Sequence, residues 1–198
     1  MTDLRSSYIK NDFGNVIKTY VMGWRPVNLV ELGVLDGYST VFIGEGIKEN
    51  RRLYGIETKL TAYDLFDDYQ YKHGNKEDVE KLISEKGLSD FVNIVKGNAY
   101  EVYKDYDDSS VEFLHMDISN TGKVIHDLME VWHPKLKGRC IVMIEGGSDE
   151  RDNIEWMKKY NMPSIKQEIE TNEIINKNYA YGTYFNFPSI TVLLKNWW

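Results

Sequence analysis

The sequence predicts an α/β fold, a single domain built on a doubly wound, mostly parallel sheet of seven strands. Three observations support this prediction. Short apolar runs alternate with segments of helical periodicity along most of the chain, as in repeated β–α units. Most of these runs end in a polar residue and a loop, as strands do where open α/β sheets bind ligands. No repeat, low-complexity stretch or linker divides the chain.

Residues 1–26 are predicted to form an N-terminal helical segment. Residues 1–12 are polar, and we expect them to be loosely held. Apolar side chains then recur at helical spacing from Phe13 to Trp24. This helix ends before Pro26, because the residue that precedes a proline disfavours the helical conformation. We expect the helix to pack over an edge of the sheet.

The fold is organised around the stretch that follows Pro26. Val27–Leu32 is a short apolar run, typical of a strand that is buried on both faces. Gly33 and Gly37 interrupt it, and a helix begins near Ser39 and continues to about Leu53. A glycine accepts a positive φ and allows a ligand to approach the backbone closely. The pattern therefore predicts a binding crevice where this strand turns into the helix.

The second strand has two alternative placements. Leu60–Phe66 is favoured, because it is rich in aromatic and β-branched residues and brings Asp64 to its end. Leu53–Glu57 is the alternative, with Glu57 as the terminal acid. A carboxylate at this point of a parallel sheet can accept both hydroxyls of a ribose. Asp64 is the preferred candidate, and Glu57 is kept in reserve.

The third strand is predicted at Phe91–Lys96, after a helix at Lys76–Lys86 that Gly87 ends. Asn98 follows the strand, and two roles for it stay open. Its amide can donate and accept hydrogen bonds, which suits the edge of an adenine. It is equally suited to cap the N-terminus of a helix.

The fourth and fifth strands are predicted at Val111–Asp117 and Gly138–Glu145. Alternation places His115 and Asp117 on the same face of the fourth strand, and a helix through Trp132 follows. The fifth strand is a continuous apolar run that ends in an acid. Both strands therefore bring carboxylates to the edge of the sheet where ligands are expected.

The last fifty residues are harder to interpret. Ser148 is expected to begin a helix that Pro163 closes, and Ser164–Asn178 is either extended or helical. Tyr179–Phe185 and Ser189–Lys195 are predicted to be the last two strands.

Composition limits the classes of partner. Lys and Arg number 24 against 31 Asp and Glu, so the net charge of −7 argues against nucleic acid and anionic membranes. The single cysteine, Cys140, lies in an apolar run and cannot form an internal disulfide. No apolar run has the length of a membrane span, and the first residues have no signal-peptide pattern. We expect a cytoplasmic protein with a small-molecule partner. The sequence leaves open whether the chain forms a homo-oligomer.

Two motifs carry a resemblance to a known family. Glu31-x-Gly33-x-x-x-Gly37 differs from the glycine pattern of dinucleotide-binding enzymes and from phosphate-binding loops. It resembles the first motif of class I methyltransferases that use S-adenosylmethionine (SAM). Leu114-His115-Met116-Asp117 is similar to the fourth strand of small O-methyltransferases of the macrocin O-methyltransferase group. This resemblance implies a Rossmann-like methyltransferase domain over residues 27–198, closed by an antiparallel hairpin. It also implies that the N-terminal helix has a secondary role as a lid over the cofactor.

The resemblance also implies a reaction and a cofactor site. The reaction is methyl transfer from SAM to an oxygen, or less readily a nitrogen, of a small polar acceptor such as a sugar or secondary metabolite. The sulfonium carries the activation, so the protein aligns the acceptor and removes a proton. Asp117, His115 and Glu145 are the candidate bases, and His115 is alternatively a buried strand histidine with a structural role. The cofactor-binding candidates are Glu31, Gly33, Gly37, Ser39, Asp64, Asn98, Ala99 and Asp117.

Metal dependence is a further possibility that the resemblance raises. Relatives of the catechol O-methyltransferase type bind a divalent cation with an Asp after the fourth strand and an Asp-Asn pair after the fifth. This chain has Asp117, but then Glu145 followed by glycine. Asp117 and Glu145 are candidate ligands of Mg²⁺, with Asn120 or Asp149 as a third. Because the asparagine of the pair is missing, a non-catalytic binding or assembly module is the alternative function.

Overall fold

The computed structural model describes residues 4–195, which fall into two compact units, one ending at Glu101 and the other beginning at Val102. The first unit contains three strands and three α-helices within its described residues. After a 3-10 helix at Ser7–Asn11, they follow in the order α1 Phe13–Trp24, β1 Asn28–Leu32, α2 Tyr38–Tyr54, β2 Lys59–Asp64, α3 Lys76–Glu85 and β3 Val92–Lys96.

The strands of the first unit are parallel, β1 pairing with β2 and β2 with β3. Four of the five residues of β1 are buried, as the apolar run predicted. Helix α1 buries Ile17 and Val21, and the side-chain amide of Asn50 in α2 donates to the Val21 carbonyl at 2.9 Å. The apolar stripe of α1 therefore packs against α2.

The second unit continues the alternation of strands and helices and then becomes mostly helical before a final hairpin. Its elements are β4 Val111–Met116, α4 Gly122–Trp132, β5 Leu136–Glu145, α5 Asp149–Asp152, α6 Glu155–Lys159, α7 Ile165–Thr171, α8 Glu173–Asn178, β6 Tyr179–Tyr184 and β7 Ile190–Lys195. β4 and β5 are parallel, whereas β7 is antiparallel to both β5 and β6.

The seven strands form a mixed sheet in the order β3-β2-β1-β4-β5-β7-β6. The predicted fold class, a doubly wound and mostly parallel sheet closed by a C-terminal antiparallel hairpin, is confirmed. In such a sheet the parallel strands direct their carboxyl ends, and the polar residues that follow them, towards one edge.

Three local predictions are wrong or incomplete. Leu53–Glu57 is not a strand, because α2 continues to Tyr54 and Gly55 ends it with a φ of 67°. The single helix expected from Ser148 to Pro163 is split into α5 and α6. The first residues are not loosely held as a whole, since Ser7–Asn11 is a 3-10 helix, while residues 1–3 lie outside the described part of the chain.

Candidate functional site

The glycine loop, residues 33–37, joins β1 to α2 in the first unit. Gly33 and Gly37 have φ values of 93° and 83°, and Leu35 between them has 50°. A side chain is strained in this region and glycine is not, which explains the glycine spacing. The Gly33 amide donates to the Tyr63 carbonyl at 2.8 Å, so the loop is attached to β2.

Asp64, the last residue of β2, holds the glycine loop through its side chain. Its Oδ2 accepts hydrogen bonds from the Val34 and Leu35 amides at 2.7 and 3.0 Å, and Oδ1 accepts from the Phe66 amide at 2.8 Å. A carboxylate has about four acceptor positions, so one of them remains for a hydroxyl of a ligand. To bind two ribose hydroxyls, Asp64 would have to give up one of its three hydrogen bonds from backbone amides.

Glu57, the alternative acid, is placed elsewhere. It precedes β2, its side chain is 73% exposed, and it pairs with Arg51 at 3.0 Å. Between the two acids that the sequence left open, only Asp64 ends the strand and contacts the glycine loop.

Glu31 is a buried carboxylate near the end of β1. Its two oxygens accept hydrogen bonds from the Ser39 and Thr40 hydroxyls, each at 2.6 Å. Both donors lie in the first turn of α2 and are buried. Glu31 therefore fastens the start of α2 to β1, so two predicted cofactor residues, Glu31 and Ser39, contact one another.

A second contact surface of the glycine loop was not predicted. A Cβ on Gly74 would lie 1.7 Å from the Leu35 carbonyl oxygen, so only glycine allows this approach of the two backbones. The Arg5 guanidinium binds both oxygens of Asp36 at 2.5 and 2.7 Å and also donates to the His73 carbonyl at 3.1 Å. Arg5 thereby lowers the pKa of Asp36. Arg5, Asp36, His73 and Gly74 border a groove of about 590 Å³.

Asn98 and Ala99 follow β3 directly. Asn98 is exposed and Ala99 is buried. The Asn98 Oδ1 accepts from the Tyr100 amide at 3.0 Å, so Asn98 caps a turn and does not begin an α-helix. The Gly97 amide donates to the Asp64 carbonyl at 2.9 Å and holds this turn beside the end of β2.

In the second unit, three candidate bases differ in burial. Asp117 follows β4 and is half-buried, whereas His115 within β4 is fully buried. Glu145, the last residue of β5, is 4% exposed. Its Oε1 and Oε2 accept from the Nε and Nη2 of Arg151 at 2.5 and 2.9 Å. Arg151 is thus a central residue of this region that the sequence did not indicate.

The charges of this cluster act on one another. Burial raises the pKa of Glu145 to about 7, against the opposing effect of the Arg151 guanidinium. Asp117 raises the pKa of Glu145 further, and His115 lowers it. Burial disfavours the charged form of Arg151, but the carboxylates of Glu145 and Asp117 raise its pKa above the usual value. The carboxyl of Glu145 is more easily protonated than that of an ordinary glutamate, and the guanidinium stays charged.

Two of the predicted metal ligands, Glu145 and Asp149, are paired with cations, and Asn120 is engaged through its amide nitrogen. The Asn120 amide nitrogen donates to the carbonyls of Met116 and Glu145 at 3.0 and 2.9 Å, which joins the ends of β4 and β5. Asp149 pairs with Lys166 at 2.8 Å. Within residues 4–195, no group of three or more His, Cys, Asp or Glu side chains is placed to hold a metal ion. Mg²⁺ requires near-octahedral oxygen ligands. Asn120 Oδ1 is buried without a hydrogen-bond partner, but both oxygens of Glu145 are bound to Arg151, so these residues do not form such a site.

The signals that could have indicated the two arginines differ. Arg151 follows Glu145 by six residues, across two glycines that allow the chain to turn back. Arg5 has no comparable local signal, because its partner Asp36 lies 31 residues away. A separate finding is that no helix in the described chain combines the length and apolar character needed to cross a bilayer.

A family model described as "Methyltransferase domain" matches residues 30–145, more than half of the chain. No curated protein sequence matches this chain. An O-methyltransferase from Bacillus cereus in complex with SAH has a similar structure, with a TM-score of 0.69 and 15% identity over 98% of this chain and 85% of that one.

Two further solved structures share the fold at equally low identity. The O-methyltransferase TomG from Streptomyces achromogenes, involved in tomaymycin synthesis and solved with SAM, has a TM-score of 0.67 and 12% identity over 99% of this chain and 83% of its own. A methyltransferase from Geobacter sulfurreducens has a TM-score of 0.67 and 13% identity over 93% and 78%.

Proposed function

Because the chain belongs to the methyltransferase-domain family, we propose that it transfers a methyl group from SAM to an oxygen of a small polar acceptor. The contact of Asp64 with the Val34 and Leu35 amides carries this proposal. It fixes the glycine loop beside a carboxylate at the carboxyl end of a parallel strand, where open α/β sheets bind ligands.

The proposed cofactor site uses residues of the first unit in distinct ways. Gly33 and Gly37 let the methionine portion of SAM approach the backbone, and the fourth acceptor position of Asp64 takes a ribose hydroxyl. Asn98 and Ala99 contact the adenine. Glu31 and Ser39 act indirectly, because their mutual hydrogen bond fixes the start of α2.

The proposed chemistry needs little from the protein beyond alignment and a base. SAM supplies an activated methyl group, so the chain orients the acceptor oxygen in line with it and takes up the proton. We assign the base to Asp117, since it is half-buried and follows β4. His115 is fully enclosed and Glu145 is held by Arg151, so neither can reach a substrate without rearrangement.

The net charge and the similar structures support a proposal for the class of acceptor. A net charge of −7 is unfavourable for a polyanionic substrate such as nucleic acid. The similar structures include O-methyltransferases, one of them involved in the synthesis of tomaymycin. We therefore favour a sugar or a secondary metabolite with a hydroxyl group, and methylation of a nitrogen is the second choice.

Calorimetric titration with SAM and SAH tests the proposed cofactor site. We expect Asp64→Ala to weaken SAM binding by about 10- to 100-fold, because hydrogen bonds to a charged group contribute about 1.5–3 kcal/mol. Glu57→Gln is the matched control, because it neutralises the other candidate acid, which lies before β2. This variant should bind SAM as tightly as the wild type does. Equal affinities of the two variants would contradict the role of Asp64.

A further inference from the structure

We infer that the guanidinium of Arg151 takes the place of a divalent cation at the end of β5, so that methyl transfer here is independent of metal. The inference rests on the proposed function, and it assigns Arg151 as a positioning residue. It follows from the mismatch between the residues present and the Mg²⁺ site that the resemblance to catechol-type enzymes suggested.

The local chain course brings Arg151 back to Glu145. Gly146 and Gly147 have φ values of 115° and 107°, so the backbone reverses directly after β5. Ser148 then caps the next turn, with its hydroxyl accepting from the Arg151 amide at 3.1 Å. A side chain at Gly147 would collide with the Thr191 hydroxyl, 2.2 Å from the position of a Cβ. The turn is thus built to return one long side chain to the strand end.

The guanidinium is fixed in this position. Arg151 is 5% exposed, and its planar group meets the carboxylate of Glu145 with two parallel hydrogen bonds. Its Nη2 also donates to the Asn120 carbonyl at 3.4 Å, and its carbon Cζ lies 5.5 Å from the centre of the Trp156 ring. Such a two-point contact is specific to arginine, and a lysine would not reproduce it.

This arrangement competes directly with a cation. Both oxygens of Glu145 are already bound to a positive group, and the charge of Asp117 acts on the same guanidinium. A divalent ion beside Arg151 would be repelled by it and would have to displace it from Glu145. The acceptor is then held without a bridging metal, so it needs no pair of adjacent oxygen atoms that could chelate one.

Titration with Mn²⁺, followed by electron paramagnetic resonance, tests the inference without an acceptor. We expect the wild type to bind no stoichiometric Mn²⁺ and to bind SAM equally well with and without EDTA. Arg151→Met leaves Glu145 and Asp117 without the guanidinium, and we expect it to bind Mn²⁺ at least 10-fold more tightly than the wild type. The matched control, Arg151→Met combined with Glu145→Gln, should lose this gain.

The outcomes separate the two proposals. One tightly bound Mn²⁺ per wild-type chain would overturn the inference, and so would Arg151→Met binding Mn²⁺ no better than the wild type. If Arg151→Met does not fold, Arg151→Lys and the wild type still decide: the inference requires that neither binds Mn²⁺ stoichiometrically. Failure of the wild type to bind SAM would instead count against the proposed function, whatever the Mn²⁺ result.

Discussion

Glu31 and Glu145 are both buried carboxylates near the carboxyl ends of strands, yet their partners differ in charge. Glu31 accepts hydrogen bonds from two neutral hydroxyls of the helix that follows its strand, those of Ser39 and Thr40. Glu145 is satisfied by a guanidinium, that of Arg151. The hydroxyls fasten the start of α2 without adding charge, whereas the guanidinium neutralises the strand end and resists a cation. The same residue type therefore fixes the start of a helix in one unit and balances a buried positive charge in the other.

Removal of Arg151 is expected to have the largest effect on stability. Arg151→Met leaves the buried carboxyl of Glu145 unpaired, which costs about 3–5 kcal/mol of unfolding free energy. Since burial raises the pKa of Glu145 in the folded state above its usual value of 4.5, the folded protein binds the proton more tightly than the unfolded one. Stability is therefore lost as the pH rises, and the free energy of unfolding of Arg151→Met should be lower at pH 8 than at pH 6.

Urea unfolding at the two pH values measures this effect. Lys166→Met is the matched control, because it removes the cation of the exposed pair with Asp149 and should change stability little. If both variants lose the same unfolding free energy, the buried pair contributes no more than an exposed one. That result would contradict the distinction drawn between Glu145 and Glu31.

Thr40→Val tests the other side of the comparison with a smaller expected loss. It keeps the shape of the side chain but removes one hydroxyl from the buried carboxylate of Glu31, at a cost of about 1–3 kcal/mol. Thr19→Val is the control, since the Thr19 hydroxyl donates to the Asn15 carbonyl on the exposed face of α1. Urea unfolding of both variants measures the difference. If they are equally stable, the hydroxyls do not brace Glu31.

Arg5→Met should have the smallest effect, because the Arg5 side chain is 49% exposed. Such ion pairs contribute about 0.2–1 kcal/mol. Arg5 lowers the pKa of Asp36 below 3.8, so this contribution is present above that pH and is lost as the pH falls through the lowered pKa. A double-mutant cycle with Asp36→Asn, measured by urea unfolding at pH 7 and at acid pH, should show a coupling that disappears in acid. A coupling that persists in acid would exclude the ion pair as its source.

The sequence by itself determined the strands, most of the helices and the polar residues that end the strands. These features follow from local rules: apolar periodicity, caps and glycine turns act over a few residues, which is why α1, β2 with Asp64 and the glycine loop were predicted correctly. The tail, residues 164–178, stayed open because its mixed pattern of isoleucines and charges has no single period.

Only the tertiary structure decided which side chains meet. Arg5 reaches Asp36 across 31 residues, and Gly74 touches Leu35 through its backbone alone. The choice between a metal and Arg151 as the partner of Glu145 was equally invisible, because a carboxylate at a strand end suits either cation. Pairing depends on distance and burial in space, and local sequence patterns contain neither quantity.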